Sequence, residues 1–235
     1  MKNKLIKLLA FITRSLPYIK GEKRIIRLLY NPDKRHNDYI ETVIPYDKNL
    51  KIHINTSSFI EWNIFFSGYY EQDIVKIIKK YLKSDDVFVD VGANIGCHTL
   101  IAAKICKQFI AIEPEPNVRK RLIENIKLNN LKNVEVYDYA ISDYIGETTF
   151  YPPDVNNPNK GVGSLYYKNG LKQDGIKIKV TTLDKLLENE SKIDFIKIDV
   201  EGANKEVIFG AKNIIKKFNP LVLYERDDSD VMQFF

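Results

Sequence analysis

Cysteine and histidine are scarce in this 235-residue chain, which holds two of the first, Cys97 and Cys106, and three of the second. The cysteines form no C-x-x-C pair and no metal-like cluster with the histidines. That argues against a structural zinc site and a disulfide framework, and it fits a reducing, cytoplasmic compartment. Long apolar runs are also missing. The N-terminal "MKNKLIKLLAFITRSLPYIK" has an apolar stretch from Leu5 to Ile12, but Lys7 breaks it. It is too short to span a bilayer, and no small-residue cleavage site follows. There is no internal repeat. Nor does charge of one sign dominate the bulk of the chain. The formal net charge is +5; residues 1–40 hold ten Lys/Arg against Glu22, Asp33 and Asp38, a sum of +7, so the remainder sums to −2. The globular part is therefore not read as a nucleic-acid binder.

What is present suits one large soluble domain with a short appendage. Residues 1–40 read as a basic helical segment. Leu5, Leu8, Leu9, Ile12, Leu16 and Ile19 follow helical spacing, with a bend at Pro17. Such a helix either packs on the domain or rests on anionic lipid at the inner membrane surface. Residues 31–38 form a polar linker. Residues 41–82 give a strand pair turning at "YDKN", an aromatic-rich segment, and a helix from about Glu71 to Leu82. In the aromatic-rich segment, Trp62 with Phe59, Phe65, Phe66, Tyr69 and Tyr70 reads as core or lid rather than as a sugar-stacking platform.

From residue 83 to 235 strands and helices alternate. The predicted strands are 87–91, 109–113, 134–139, 194–200 and 221–225, and the predicted helices are 96–106, 115–129 and 204–218. Continuously apolar strands such as "FIAI" and "FIKI" demand a sheet buried on both faces, hence a doubly wound α/β fold. An insertion at 144–182 carries two strand-like stretches, "GETTFY" and "IKIKVTTL". Ten residues follow the last strand.

Ligands of such sheets bind beyond the carboxyl ends of the strands. The residues there are Asp90, Glu113, Asp138 or the nearby Ser142, Asp199 with Glu201, and Glu225. Carboxylates dominate. A dinucleotide turn reads G-x-G-x-x-G and seats phosphates on a helix N-terminus. Here the pattern is Asp90-x-Gly92-x-x-x-Gly96, whose leading acid would oppose a phosphate. S-adenosylmethionine has no phosphate but carries a sulfonium and an ammonium, which suit an acidic edge. Gly92 lets the backbone pass close to the cofactor, Ala93 and Asn94 keep the loop small, and Glu113 offers two oxygens to the ribose hydroxyls.

"VFVDVGANIGCHTLIAAK", "FIAIEPEPNVRKRLIENIKLNNLKNVEV" and "IDFIKIDVEGANKEVIFGAK", with "FFSGYYEQDI" upstream, resemble the FkbM family of S-adenosylmethionine-dependent methyltransferases over roughly residues 50–225. The resemblance implies a class I methyltransferase fold with a Rossmann-like sheet and a methyl donor in the Asp90/Gly92/Glu113 site. It also implies transfer to a hydroxyl oxygen, so the expected acceptor is a glycan or a lipid-linked sugar. Sheets of that class continue past the fifth strand with an antiparallel pair, for which ten residues are too few. The expectation is a truncated C-terminal pair, with the fifth-strand edge covered by a second copy, another chain or the N-terminal segment.

Methyl transfer to an alcohol needs the acceptor oxygen aligned and its proton shared. Asp199 is expected to accept or orient that proton and Glu201 to organise the loop. The reverse assignment stands beside it, as does Glu201 capping the helix near Asn204. Lys197 either pairs with a carboxylate at the substrate side or snorkels. Glu71 either closes the pocket or caps its helix, and Glu225 reaches substrate. His98 reads as packed or solvated rather than as a base. No metal is expected. "YPPD" at 151–154 lies in the insertion rather than after the fourth strand, which excludes the amino-methylating motif it resembles. Two other functions compete: a cofactor-binding assembly subunit without turnover, and a methyltransferase for RNA or protein.

Overall fold

The computed structural model describes residues 2–15, 26–28, 30, 39–152, 163–164, 172, 174–200 and 202–224. Glu201, Glu225, Pro17 and much of the insertion lie outside the described residues.

Five parallel strands make the central sheet: β3 (Val87–Val91), β4 (Gln108–Ile112), β5 (Val134–Tyr137), β9 (Phe195–Ile198) and β10 (Leu221–Tyr224). Their order is β10-β9-β3-β4-β5, so the chain reverses direction across the sheet between β3 and β9. Both faces are covered, as the apolar strands required. Val87, Val89, Val91, Ile110, Ile196 and Ile198 share one core with α6 (Leu183–Leu186), α7 (Asn204–Phe209) and α8 (Lys212–Phe218). Phe88, Phe109 and Phe195 share the other with α3 (Gln72–Tyr81), α4 (Cys97–Ala103) and α5 (Pro116–Leu128). This is the Rossmann-like, doubly wound sheet expected from the sequence.

Register builds that second face. Phe88 stands opposite both Phe109 and Phe195, and the rings stack at 4.9 and 4.6 Å between centroids. Side chains on a strand repeat every second residue, so Asp90, Lys197 and Asp199 follow the rings along the same face. The phenylalanine ladder thus leads directly to the charged residues at the strand ends.

The insertion forms a second sheet of order β6-β8-β7, from β6 (Tyr139–Ile141), β7 (Gly146–Phe150) and β8 (Ile176–Thr181). The strand predicted over 134–139 therefore ends early: Asp138 is the joint at which the chain leaves the central sheet. The helix predicted over 204–218 is two helices with Gly210 between them. The Gly210 backbone lies so close to Ser142 that a Cβ would meet its carbonyl oxygen at 2.0 Å. Asp184 then caps the second helix, accepting from the backbone N–H groups of Asn213 and Ile214.

Ahead of the sheet, the hairpin β1 (Glu41–Tyr46) and β2 (Leu50–Asn55), together with α2 (Phe59–Ser67), shares a core with α4 through Ile95, Cys97, Leu100 and Ile101. Trp62, Phe65 and Phe66 are buried there, as core. The open edge of β2 is held by α5. Asn125 Oδ1 accepts from His53 N at 2.7 Å, and Asn129 bonds both the N–H and the carbonyl of Lys51. Arg121 makes two 2.6 Å bonds to the buried Glu61.

Helix α1 (Lys2–Ser15) lies on α2, but not through the stripe its spacing suggested. Ile6, Leu9 and Ala10 join the core, while Leu5, Leu8 and Ile12 face outward. The Thr13 hydroxyl donates to the Phe66 carbonyl at 2.7 Å and Arg14 donates to the Phe65 carbonyl at 3.2 Å, which fixes this rotation.

Candidate functional site

The site gathers where β3, β4 and β9 end. After β3 the chain turns through Gly92 at φ 84°, and a Cβ there would lie 2.1 Å from the Asp199 carbonyl oxygen. Only glycine fits, on both conformational and steric grounds. The N–H groups of Gly92 and Ala93 both donate to the Ile112 carbonyl, which ties the loop to β4. Asn94 takes a left-handed conformation and folds its side chain onto the N–H of Ile95. Gly96 N-caps α4.

Glu113 is the hub of the loop. Its Oε2 accepts from Asn94 N at 2.9 Å and its Oε1 from Glu115 N at 3.0 Å. Burial raises its pKa to about 7, against those two backbone bonds, which favour the carboxylate. Arg119 holds the following turn through the carbonyls of Glu113 and Pro114. Each carboxylate oxygen retains a lone pair for a ligand hydroxyl.

Asp90 lies inside the protein, below the Gly92 turn. Its carboxylate is fully buried, takes the Lys197 ammonium at 3.3 Å and accepts from the Thr99 hydroxyl at 3.3 Å. Lys197 also reaches Asp199 Oδ2 at 3.1 Å. Burial alone would lower the Lys197 pKa, but the two carboxylates outweigh it and hold the ammonium above its ordinary value. Lys197 is thus a buried bridge between two acids, neither snorkelling nor open to a substrate. Its charge and burial together push the pKa of His98 well down, with burial the larger cause. His98 is packed inside, its Nε2 3.8 Å from Glu71.

Beyond the strand ends opens a cleft of about 570 Å³ of atom-free space, open solvent included. Glu113, Gly92 and Asp199 line it from the central sheet. Tyr139, Phe150 and Ser164 line it from the inserted segment. Those last three were not singled out from sequence, where Phe150 stood only as part of the strand-like "GETTFY" of the insertion. Asp138 and Ser142 do not line the cleft. Asp138 turns toward Lys179 at 3.9 Å, and Ser142 is buried with its N–H on the Thr181 carbonyl. Glu71 adopts a left-handed backbone ahead of α3 and caps nothing with its side chain.

The donor chemistry of this cleft fits a sulfonium nucleoside. Two carboxylates face it and no lysine or arginine lines it among the described residues, so a diphosphate would meet like charge. No cluster of potential metal ligands occurs among the described residues.

Residues 90–234 match the Methyltransferase FkbM domain. Hexuronic acid methyltransferase AglP of Haloferax volcanii is 31% identical over 156 residues, which cover 65% of this chain and 61% of that protein. 2-O-methyltransferase NoeI of Sinorhizobium fredii is 26% identical over 205 residues, covering 81% of this chain and 75% of that protein. A crystal structure of Methyltransferase FkbM from Methylobacillus flagellatus is similar at a TM-score of 0.43 and 14% identity, over 69% of this chain and 41% of that one. The chain therefore spans 61% of the length of AglP. With its domain match running from Asp90 through the whole cleft, this chain belongs to the FkbM family of methyltransferases, whose methyl donor is S-adenosylmethionine.

Proposed function

We propose that the chain methylates a hydroxyl oxygen on a saccharide, a glycan or a lipid-linked sugar, with Asp199 orienting the acceptor. One observation carries this reading. Asp199 lines the cofactor cleft, its side chain 35% exposed, while Lys197 holds one of its oxygens from behind at 3.1 Å. The carboxylate is thereby aimed rather than free to rotate. The names of two relatives, a hexuronic acid methyltransferase and a 2-O-methyltransferase, support a sugar hydroxyl as acceptor.

S-adenosylmethionine, when bound, supplies a methyl group already activated by its sulfonium. Glu113 would hold the ribose hydroxyls, and the Gly92–Asn94 loop would pass beneath them. Asp90 would act at one remove, through Lys197, by fixing Asp199 and the strand end. Asp199 would accept the hydrogen bond of the acceptor O–H and take its proton as the methyl moves to oxygen. In this reading Glu201 organises the loop after β9, and Glu71 and Glu225 serve the acceptor.

The test is transfer of labelled methyl to a panel of uronic acids and neutral saccharides, by the wild type and by Asp199→Asn. The reading predicts labelled saccharide with the wild type and at least a hundredfold slower turnover with the variant, at unchanged cofactor affinity. Cofactor binding with no consumption on any saccharide would count instead for a binding subunit.

A further inference from the structure

Helix α1 has two apolar faces, and one of them enters the core. Ile6, Leu9 and Ala10 enter the core, and the bonds of Thr13 and Arg14 lock that side onto α2. The other side shows Leu5 at 68% exposure, Leu8 at 54%, Phe11 at 63% and Ile12 at 46%. Leu5, Leu8 and Ile12 stand at i, i+3 and i+7, and Phe11 lies three residues beyond Leu8, so the four form one contiguous stripe. Lys4 and Lys7 are exposed beside it. Scattered exposed leucines need no explanation, but four large apolar groups on one face of a docked helix do.

We propose that this face rests on an anionic phospholipid bilayer, with the four apolar side chains at the acyl boundary and the lysines among the headgroups. Two observations favour that occupant over a second copy of the chain. Residues 1–40 carry ten Lys/Arg against three acids, so pairing two copies through α1 sets like charge against like. An anionic leaflet attracts the same residues. Second, the outer face is apolar with flanking lysines while the inner face is bonded to the domain, the arrangement of a helix that lies in an interface rather than crossing it. No helix among the described residues is long and apolar enough to cross a membrane. The proposal does not depend on which acceptor is methylated.

The test is co-sedimentation of the full chain with phosphatidylglycerol/phosphatidylcholine vesicles and with pure phosphatidylcholine vesicles. It is run beside Leu8→Ser/Phe11→Ser, whose fold is checked by circular dichroism and melting temperature. The wild type should partition onto anionic vesicles at least tenfold more strongly than the double variant, and 0.5 M salt should weaken it severalfold. Equal partition of the two proteins, or equal binding to neutral and anionic vesicles, would overturn the proposal. So would failure to pellet combined with a dimer in sedimentation velocity that the double variant abolishes, because the face would then belong to a second copy.

Discussion

Asp90 and Lys197 stand in register on adjacent parallel strands, with the Lys197 ammonium 3.3 Å from the Asp90 carboxylate and both side chains buried. The pair sits directly after the stacked rings of Phe88 and Phe195 and just beneath the cofactor cleft. It ties the end of β3 to β9 from inside the protein. The Gly92 turn above it then depends on a charge balance: one buried ammonium between two carboxylates.

That balance predicts the outcome of removing its centre. Lys197→Met leaves Asp90 buried without its cation and should lower stability by about 3–5 kcal/mol. Urea denaturation measures it. Lys197→Met with Asp90→Asn should regain a large part of the loss, because the uncompensated charge is gone. A double variant no more stable than the single one would contradict the account.

Glu113 predicts a pH dependence. Its folded pKa, raised by burial to about 7 from an ordinary 4.5, means that the folded state holds a proton which the unfolded chain releases in that window. Stability without cofactor should therefore fall as pH rises from about 4.5 to 7. Glu113→Gln should remove that component. Ribose hydroxyls donate best to the ionised carboxylate, so affinity for methylthioadenosine, which has no amino acid group to titrate, should rise between about pH 6 and 8 in the wild type only. Calorimetry at several pH values checks the sign.

Gly92→Ala should disable the site without a change of charge. The added methyl would lie 2.1 Å from the Asp199 carbonyl oxygen, on a backbone at φ 84°. Either β9 shifts away from β3 or the turn reshapes. We expect a loss of about 2–4 kcal/mol in stability and no measurable cofactor binding at accessible concentrations. Thermal melts with and without cofactor read both.

The asparagines of α5 predict the opposite separation. Asn129→Ala strips two bonds from the edge of β2, at Lys51 N and Lys51 O, and should cost about 1–2 kcal/mol. Cofactor affinity should stay within a factor of two, because Asn129 touches no residue of the cleft.

The sequence made the turn at Gly92 legible because its constraint is local: a buried strand, a glycine and a helix start within ten or so residues. The partner of Asp90 was not legible, since it depends on which strands are neighbours and in what register. The need for glycine at position 210, between the two helices, is set by the Ser142 carbonyl, far away in the chain. The joint at Asp138 hides in the unbroken alternation of "VEVYDYAI", which is compatible with one strand or with two in different sheets. In α1 both faces are apolar enough to bury, and hydrogen bonds from Thr13 and Arg14 decide between them. The strand that carries Phe150 was legible in "GETTFY", but that it and Ser164 fold over the cleft depends on how the inserted sheet sits against the central one.

The most direct measurement is titration calorimetry of S-adenosylmethionine into the wild type, Glu113→Ala and Asp199→Ala, with NAD as a competing ligand. A cleft built for a sulfonium nucleoside should bind the cofactor at least tenfold more weakly when Glu113 is truncated, keep its affinity within a few-fold when Asp199 is truncated, and ignore NAD. Tight NAD binding, or a Glu113→Ala variant with wild-type affinity for S-adenosylmethionine, would contradict it.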